Sequence, residues 1–239
     1  MSSRRDAWDA QADDWARFAR TPGHDHWYER VNLPRFLELV PPAGRATLDL
    51  GCGEGRVGAE LVARGHRVVG VDSSARMVEL ACQRHEAVVA DTASLPFEDG
   101  AFDLVVAFMS VQDMDNLDGA FREAGRVLAP DGRIAIAIPH PIQLVGEWDD
   151  SADANSPFRI DSYLEPRRLE VVVERGGIAV TLAGEHRPLE TYSRALEGGG
   201  FLVEALREIC PDEDFVREVP RYGKWRRVPI FLHVRAVKA

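Results

Sequence analysis

Residues 47–72 restrict this chain more than any other stretch. A short apolar strand, Thr47-Leu-Asp-Leu50, runs into alternating glycines at Gly51, Gly53 and Gly55. A second apolar stretch, His66-Arg-Val-Val-Gly-Val-Asp72, then ends on an acid. Glycines without a Cβ let the backbone turn sharply and come close to a ligand. The helix that follows begins with free backbone N–H groups. Asp72, at the tip of the second strand, is placed to accept hydrogen bonds from a ribose diol. Together these residues predict a nucleoside-binding corner in a strand–turn–helix–strand unit.

The rhythm around that corner predicts the rest of the fold. Strands are expected at 46–50, 67–71, 87–90, 102–108 and 133–138, alternating with helices at 55–64, 74–84 and 117–128. Pro130-Asp-Gly132 reads as the turn before the fifth strand. Such alternation implies a parallel sheet with helices on both faces. Leu104-Val-Val-Ala107 and Ile134-Ala-Ile-Ala-Ile138 are nearly continuous apolar runs, as strands covered on both sides require. A helix at 189–196 and strands at 201–209 and 228–237 bring the sheet to seven strands. The expected fold class is α/β, a Rossmann-like, doubly wound and mostly parallel sheet.

Two segments stand outside this rhythm. Trp8, Ala12, Trp15, Phe18 and Ala19 recur at helical spacing, and Tyr28, Val31, Phe36 and Leu39 suggest a second helix stopped by Pro41-Pro42. Residues 140–186 are irregular, with a strand pair expected at 169–174 and 178–182 around Gly176-Gly177. One domain is therefore read as a helical lid (1–42), a cofactor-binding core (43–139), an insertion on the acceptor side (140–186) and a C-terminal helix with strands (187–239).

Charge and cysteine usage limit the partners. A net charge of −10, from 29 basic and 39 acidic residues, argues against a nucleic-acid partner, whose phosphates need Lys and Arg. The local patch Arg221, Lys224, Arg226 and Arg227 reads as a solvated face. No apolar run has transmembrane length, and the N-terminal residues lack the apolar stretch of a signal peptide. Cys52, Cys82 and Cys210 are odd in number and far apart, without metal-ligand spacing. Reduced thiols and a cytoplasmic location are expected.

Two cofactors compete for the glycine corner. Gly53, Gly55 and Gly58 satisfy G-x-G-x-x-G, and Asp72 stands about 20 residues on, as a nicotinamide cofactor would require. Against this, Asp49 and Gly51 precede the motif, so the loop reads D-x-G-x-G-x-G. A buried acid there repels a pyrophosphate and suits an ammonium-bearing ligand. Asp91 adds a second acid after the third strand, where an adenine amine would lie.

Leu48-Asp-Leu-Gly-Cys-Gly-Glu-Gly55, Val71-Asp72, Asp91-Thr-Ala-Ser-Leu-Pro96, Phe102-Asp-Leu-Val-Val106 and Arg126-Val-Leu-Ala-Pro-Asp-Gly132 resemble, in order, the successive motifs of class I S-adenosylmethionine-dependent methyltransferases. Pro139-His-Pro141, Glu185-His-Arg-Pro-Leu-Glu-Thr-Tyr192, Gly200-Phe201 and Arg227-Val-Pro-Ile-Phe-Leu232 are similar to a bacterial small-molecule subgroup of the ubiquinone-biosynthesis type. The resemblance implies S-adenosyl-L-methionine as donor and S-adenosyl-L-homocysteine as product. It implies Gly51 and Gly53 against the methionine portion and Asp49 supporting its ammonium. Asp72 would hold the ribose hydroxyls, with Ser73 and Met77 flanking the adenosine. Asp91 and Thr92 would face the adenine, and Phe108 and Met109 the sulfonium. Core packing is the alternative for Met77 and Met109, and for Met77 the two readings weigh equally.

The sulfonium brings its own leaving group, so alignment and removal of a proton are what a protein adds. Alignment alone contributes roughly 7–11 kcal/mol. His140, directly after the fifth strand, is the candidate base, or else a structural residue bonding the insertion's backbone. The subgroup often carries a histidine after strand four, where this chain has Gln112, which with Asp113 would orient an acceptor. Trp15, Tyr28, Trp148, Phe158 and Tyr163 lie in the covering segments, and His186 would fold back over the pocket. His24, His26 and His85 read as surface residues. The expected activity is methyl transfer to the oxygen or nitrogen of a small molecule, by a monomer or homodimer. Alternatives are a non-catalytic S-adenosylmethionine-binding module and, third, a nicotinamide-dependent oxidoreductase.

Overall fold

A computed structural model describes residues 4–150, 153 and 155–239. The chain begins with α1 (Arg4–Arg20), followed by a π-turn over 28–32 and α2 (Leu33–Leu37). The expected alternation then unfolds as β1 (Thr47–Leu50), α3 (Arg56–Ala63), β2 (Val68–Asp72), α4 (Ala75–Ala81), β3 (Glu86–Val89), β4 (Phe102–Phe108), α5 (Leu117–Val127) and β5 (Leu128–Pro139). The insertion contributes α6 (Pro141–Leu144) and two hairpins, β6 (Gly146–Trp148) with β7 (Phe158–Ile160), and β8 (Arg167–Arg175) with β9 (Ile178–His186). After α7 (Leu189–Gly198) come β10 (Phe201–Ile209), α8 (Glu213–Glu218) and β11 (Phe231–Lys238).

Seven strands form the central sheet in the order β10-β11-β5-β4-β1-β2-β3. β1 to β5 run parallel, and β11 lies antiparallel between β5 and β10. β1 lies inside the sheet, between β4 and β2, with all four residues buried. From β1 the chain builds outward through β2 and β3, then returns to place β4 on the other side of β1. The order of strands reverses there, and a crevice opens beyond their carboxyl ends.

Alternate side chains of each strand feed opposite layers. Leu48, Val105, Ala107, Ile134 and Ile136 pack with Phe121 and Ala124 of α5 and Leu196 of α7. Leu104, Val106, Ala135 and Ala137 pack on the other face with Phe36 of α2 and Leu61 of α3. Ala12 and Ala16 of α1 pack on Met77 and Leu80 of α4, which brings the N-terminal helix over the adjacent strand ends.

Several expected boundaries move. The Pro130-Asp-Gly132 turn survives as an irregularity inside one long β5, with Asp131 at a φ of +60°. The last strand starts at Phe231, because a 3-10 segment occupies 220–226. β6, β7, α6 and α8 had no legible periodicity. β8 and β9 extend to nine residues each and hold together as a two-stranded sheet outside the main one.

Candidate cofactor and acceptor site

The carboxyl ends of β1 to β4 converge on a cavity of about 540 Å3. β1 delivers Gly51, Cys52 and Gly53 to its wall, β2 delivers Asp72 and Ser73, and β3 delivers Asp91 and Thr92. β4 delivers Phe108, Met109 and Ser110, and the turn after it adds Asp113, Met114, Asp115 and Asn116. Met77 reaches in from α4, while Trp8 and Trp15 close the side formed by α1. Met77 therefore serves both readings, since it also packs in the α1–α4 cluster.

The glycine loop is built for close approach. Gly51 has a φ of +75°, and a Cβ there would come within 2.5 Å of the Ser110 Cβ. Gly53 has a φ of +53°, and a Cβ there would meet no heavy atom within 4 Å, because the position faces open cavity. Its amide donates to Asp72 Oδ2 at 2.9 Å, while Ser74 N donates to Oδ1 at 2.9 Å. Burial pushes the Asp72 carboxyl up, and the amides of Ser74, Gly53 and Ser73 pull it back. An acceptor of hydroxyl donors beside a bare backbone cradle fits a nucleoside with a free ribose diol. Asp91, exposed at the rim, accepts from Ala93 N at 2.8 Å.

Asp49 is 1% exposed and is not on the cavity wall. It lies beneath the glycine loop, where the Gly58 amide donates to it and Oδ2 accepts no hydrogen bond from the described residues. Desolvation, with repulsion from Asp72, pushes its carboxyl up to about 7. His85, expected at the surface, is half-buried, and its ring fills the space left by the missing side chains of Gly58 and Gly70.

Past β4 the backbone is strained. Met109 has a φ of +53°, a region that costs a non-glycine residue free energy and is held here by a 2.7 Å bond from its amide to Ala137 O. Three residues on, Gln112 turns inward and donates to Met109 O at 2.6 Å, so it is missing from the cavity wall. Asp113 lines the cavity in its place. Burial raises its carboxyl well above the usual range, against the pull of Arg4 and Arg187. Arg187, only 6% exposed, donates to Gln112 O at 3.2 Å, Met114 O at 2.8 Å and Glu185 Oε2 at 2.7 Å. Arg4 donates to Asp113 O at 3.2 Å and shares Glu185 at 2.8 Å. The turn is thus pinned from the insertion and from α1 together.

The structure keeps both candidate histidines out of the cavity. His140 caps α6, accepting from Ile142 N at 3.2 Å on Nδ1, and its Nε2 pairs with Glu208 at 3.1 Å. Burial lowers its pKa against the pull of Glu208. The proline after it fixes a helix start, and the ring turns back to satisfy that start. His186 is fully buried and bonds Tyr163 O at 2.7 Å through Nε2. Among the described residues, no histidine lines the cavity. Tyr28 is also behind the wall, under the Arg56 guanidinium at 3.7 Å and edge-on to Phe108, while Trp15 does line it. Trp148 and Phe158 pack on Trp225 instead.

Sequence reasoning passed over Arg4, Trp8, Glu54, Arg56, Ser110 and Asn116, all on the wall. Trp8 had a signal, seven residues before Trp15 on the same helical face. The residues after β4 had one in their position at a strand end.

Comparisons with known proteins agree with this geometry. A family described as a methyltransferase domain matches residues 48–136. The chain is 33% identical over 199 residues to an O-methyltransferase of Pyrenophora dematioidea, covering 76% of this chain and 74% of that one. It is 34% identical over 193 residues to nocamycin O-methyltransferase of Saccharothrix syringae, covering 74% and 66%. Of three curated relatives it matches, the chain spans 31%, 48% and 66% of the length. An S-adenosylmethionine-dependent methyltransferase structure from Mesorhizobium loti superposes with a TM-score of 0.71 at 25% identity, covering 90% of this chain and 98% of that one.

Proposed function

The chain belongs to the class I S-adenosylmethionine-dependent methyltransferases, and we propose that it transfers a methyl group to an oxygen or nitrogen of a small-molecule acceptor in secondary metabolism. One observation carries this reading: Gly53, Asp72, Asp91 and Met109 meet in a single cavity at the strand ends where the sheet order reverses. When bound, the cofactor supplies an electrophilic methyl on a positively charged sulfur. Membership of this family sets the nicotinamide alternative aside.

In this reading Asp72 accepts from both ribose hydroxyls, and the bare backbone at Gly51 and Gly53 lies against the methionine portion. Ser73 and Met77 flank the adenosine, and Asp91 and Thr92 face the base. Asp49 acts from below, as a negative charge beneath the loop. Phe108 and Met109 wall the reacting side. Asp113 replaces His140 as the group that takes a proton from the acceptor. Its support is its place on the wall after β4 and a carboxyl raised by burial, which makes it more basic than a free carboxylate.

Residues of the 1–42 segment form the lid, 43–139 the cofactor core, 140–186 the acceptor-side insertion and 187–239 the closing helix and strands. We place the protein in the cytoplasm, as a monomer or homodimer without nucleic-acid or membrane partners. Among the described residues no helix is long and apolar enough to cross a membrane.

Calorimetry with S-adenosylmethionine and S-adenosylhomocysteine, followed by incubation of methyl-labelled cofactor with a panel of phenols, hydroxy acids and amines, tests the proposal. Micromolar binding and label in an acceptor are expected. Absence of binding by either ligand overturns it, and binding without transfer to any acceptor favours the non-catalytic module.

A further inference from the structure

The acid inside the glycine loop is spoken for by the lid. Glu54 stands between Gly53 and Gly55, its side chain has no exposure, and its Oε1 accepts no hydrogen bond from the described residues. Oε2 accepts from Arg20 Nε at 3.0 Å, with Arg84 Nε at 3.5 Å. Arg20 is the last residue of α1. Its Nη2 also donates to Glu54 O at 3.4 Å and Leu80 O at 3.3 Å. One guanidinium therefore grips the side chain and backbone of the loop and the end of α4.

The same helix carries Trp8 and Trp15 onto the cavity wall. Nearer its start, Asp9 accepts from Ser74 Oγ at 2.6 Å and Arg76 N at 3.1 Å, two residues beyond Asp72. A ligand held by Asp72 lies beside Trp8 and Trp15, so lifting α1 opens a way out for it. Lifting α1 withdraws Arg20 from a carboxylate that water does not reach. Glu54 then keeps only Arg84, at 3.5 Å, and a buried carboxylate that loses its closer cation is destabilised. That loss falls one residue from Gly53, whose amide holds Asp72.

We propose that the Arg20–Glu54 pair is a positioning device that keeps α1 shut over the glycine loop and sets how long the cofactor stays bound. The inference rests on the S-adenosylmethionine reading of the cavity. Neither residue needs to touch the ligand. Glu54 orders the loop, and Arg20 makes that order depend on the closed lid. The lifted helix is the way in as well as the way out, so loss of the pair speeds entry along with release.

The test is a pulse–chase measurement on the full-length protein. Tritiated S-adenosylmethionine is bound, then chased with excess unlabelled ligand, and retained label is followed by rapid filtration. R20M and E54Q are expected to release label at least tenfold faster than wild type, with association no slower than in wild type. R20K, which keeps the charge and loses the fork, falls between R20M and wild type. R17A, an exposed position paired within α1 to Asp14, behaves as wild type. Melting curves establish that each variant is folded at the assay temperature. Release within twofold of wild type in both folded R20M and E54Q overturns the proposal. A wild-type protein that binds no label overturns the cofactor reading itself, and this inference with it.

Discussion

The amide of Gly53 donates to the carboxylate of Asp72 across 2.9 Å, so the loop after the first strand and the acid ending the second are held as one unit. Ser74 N holds the other carboxylate oxygen at 2.9 Å. Both oxygens are thereby aimed before a ligand arrives, and the ligand pays less to order them. Asp72→Ala removes the acceptor for two hydroxyls and frees the loop. Charge-assisted hydrogen bonds contribute about 1.5–3 kcal/mol each. Affinity for S-adenosylmethionine should fall about 100-fold or more by calorimetry, and a loss under threefold would contradict the assignment.

The two loop glycines should respond differently to alanine. Both have positive φ, which costs an alanine roughly 1–2 kcal/mol. At Gly51 the new methyl also collides with the Ser110 Cβ, so Gly51→Ala should lower the melting temperature by several degrees. At Gly53 the methyl enters open cavity, so Gly53→Ala should fold and bind S-adenosylhomocysteine poorly. Equal melting losses with intact affinity in Gly53→Ala would sink this distinction.

His140→Ala should cost stability and leave cofactor binding alone. The ring satisfies a helix start, and losing such a cap costs about 0.5–2 kcal/mol. His140→Asn keeps a capping acceptor and should recover most of the loss in urea titrations. A His140→Ala protein with normal stability and weakened cofactor affinity would return this residue to the site.

Asp49 should make the ligand-free protein less stable as pH rises. Its carboxyl titrates at about 7 when folded against an ordinary value of 3.8. The folded state therefore holds the proton more tightly, and the stability this contributes is full below pH 4 and lost on approaching pH 7. Asp72 and Asp113 have the same sign, while His66, His140 and His233 have the opposite one. Comparison with Asp49→Asn isolates the one group. The melting temperature of Asp49→Asn should drop less between pH 5 and pH 8 than that of wild type. Affinity for the cationic cofactor should rise with pH through about 7 in wild type and stay flatter in the variant. Parallel profiles for the two proteins would rule this out.

Legibility followed burial. β4 and β5 are covered on both faces, so their positions had to be apolar without interruption, and the sequence displays that. The Asp72 strand end was legible because an acid finishing an apolar strand needs a partner. The 140–186 segment was not legible, because its longer hairpin packs on one side against α1 and the turn after β4, and its shorter one against Trp225. Its residues answer to those neighbours. Arg187 and Glu185 offer an example, since nothing near them in sequence announces the three carbonyls of the 111–114 turn.

His140 and Asp113 mark the same boundary. Chain order put His140 at the end of the fifth strand, at the correct edge of the sheet for a base. Only folding determined that the ring turns away to cap α6, and that the residue reaching the cavity is Asp113. The alternation of strands and glycines, by itself, determined the sheet and the nucleoside corner, because those depend on local backbone geometry and on periodic burial. The nature of the methyl donor rested on the resemblance of the ordered motifs to class I methyltransferases. The acceptor side, the place of Asp49 beneath the loop and the grip of Arg20 on Glu54 were decided by tertiary structure. They are contacts between segments remote in sequence, and their energies depend on burial that no local pattern records.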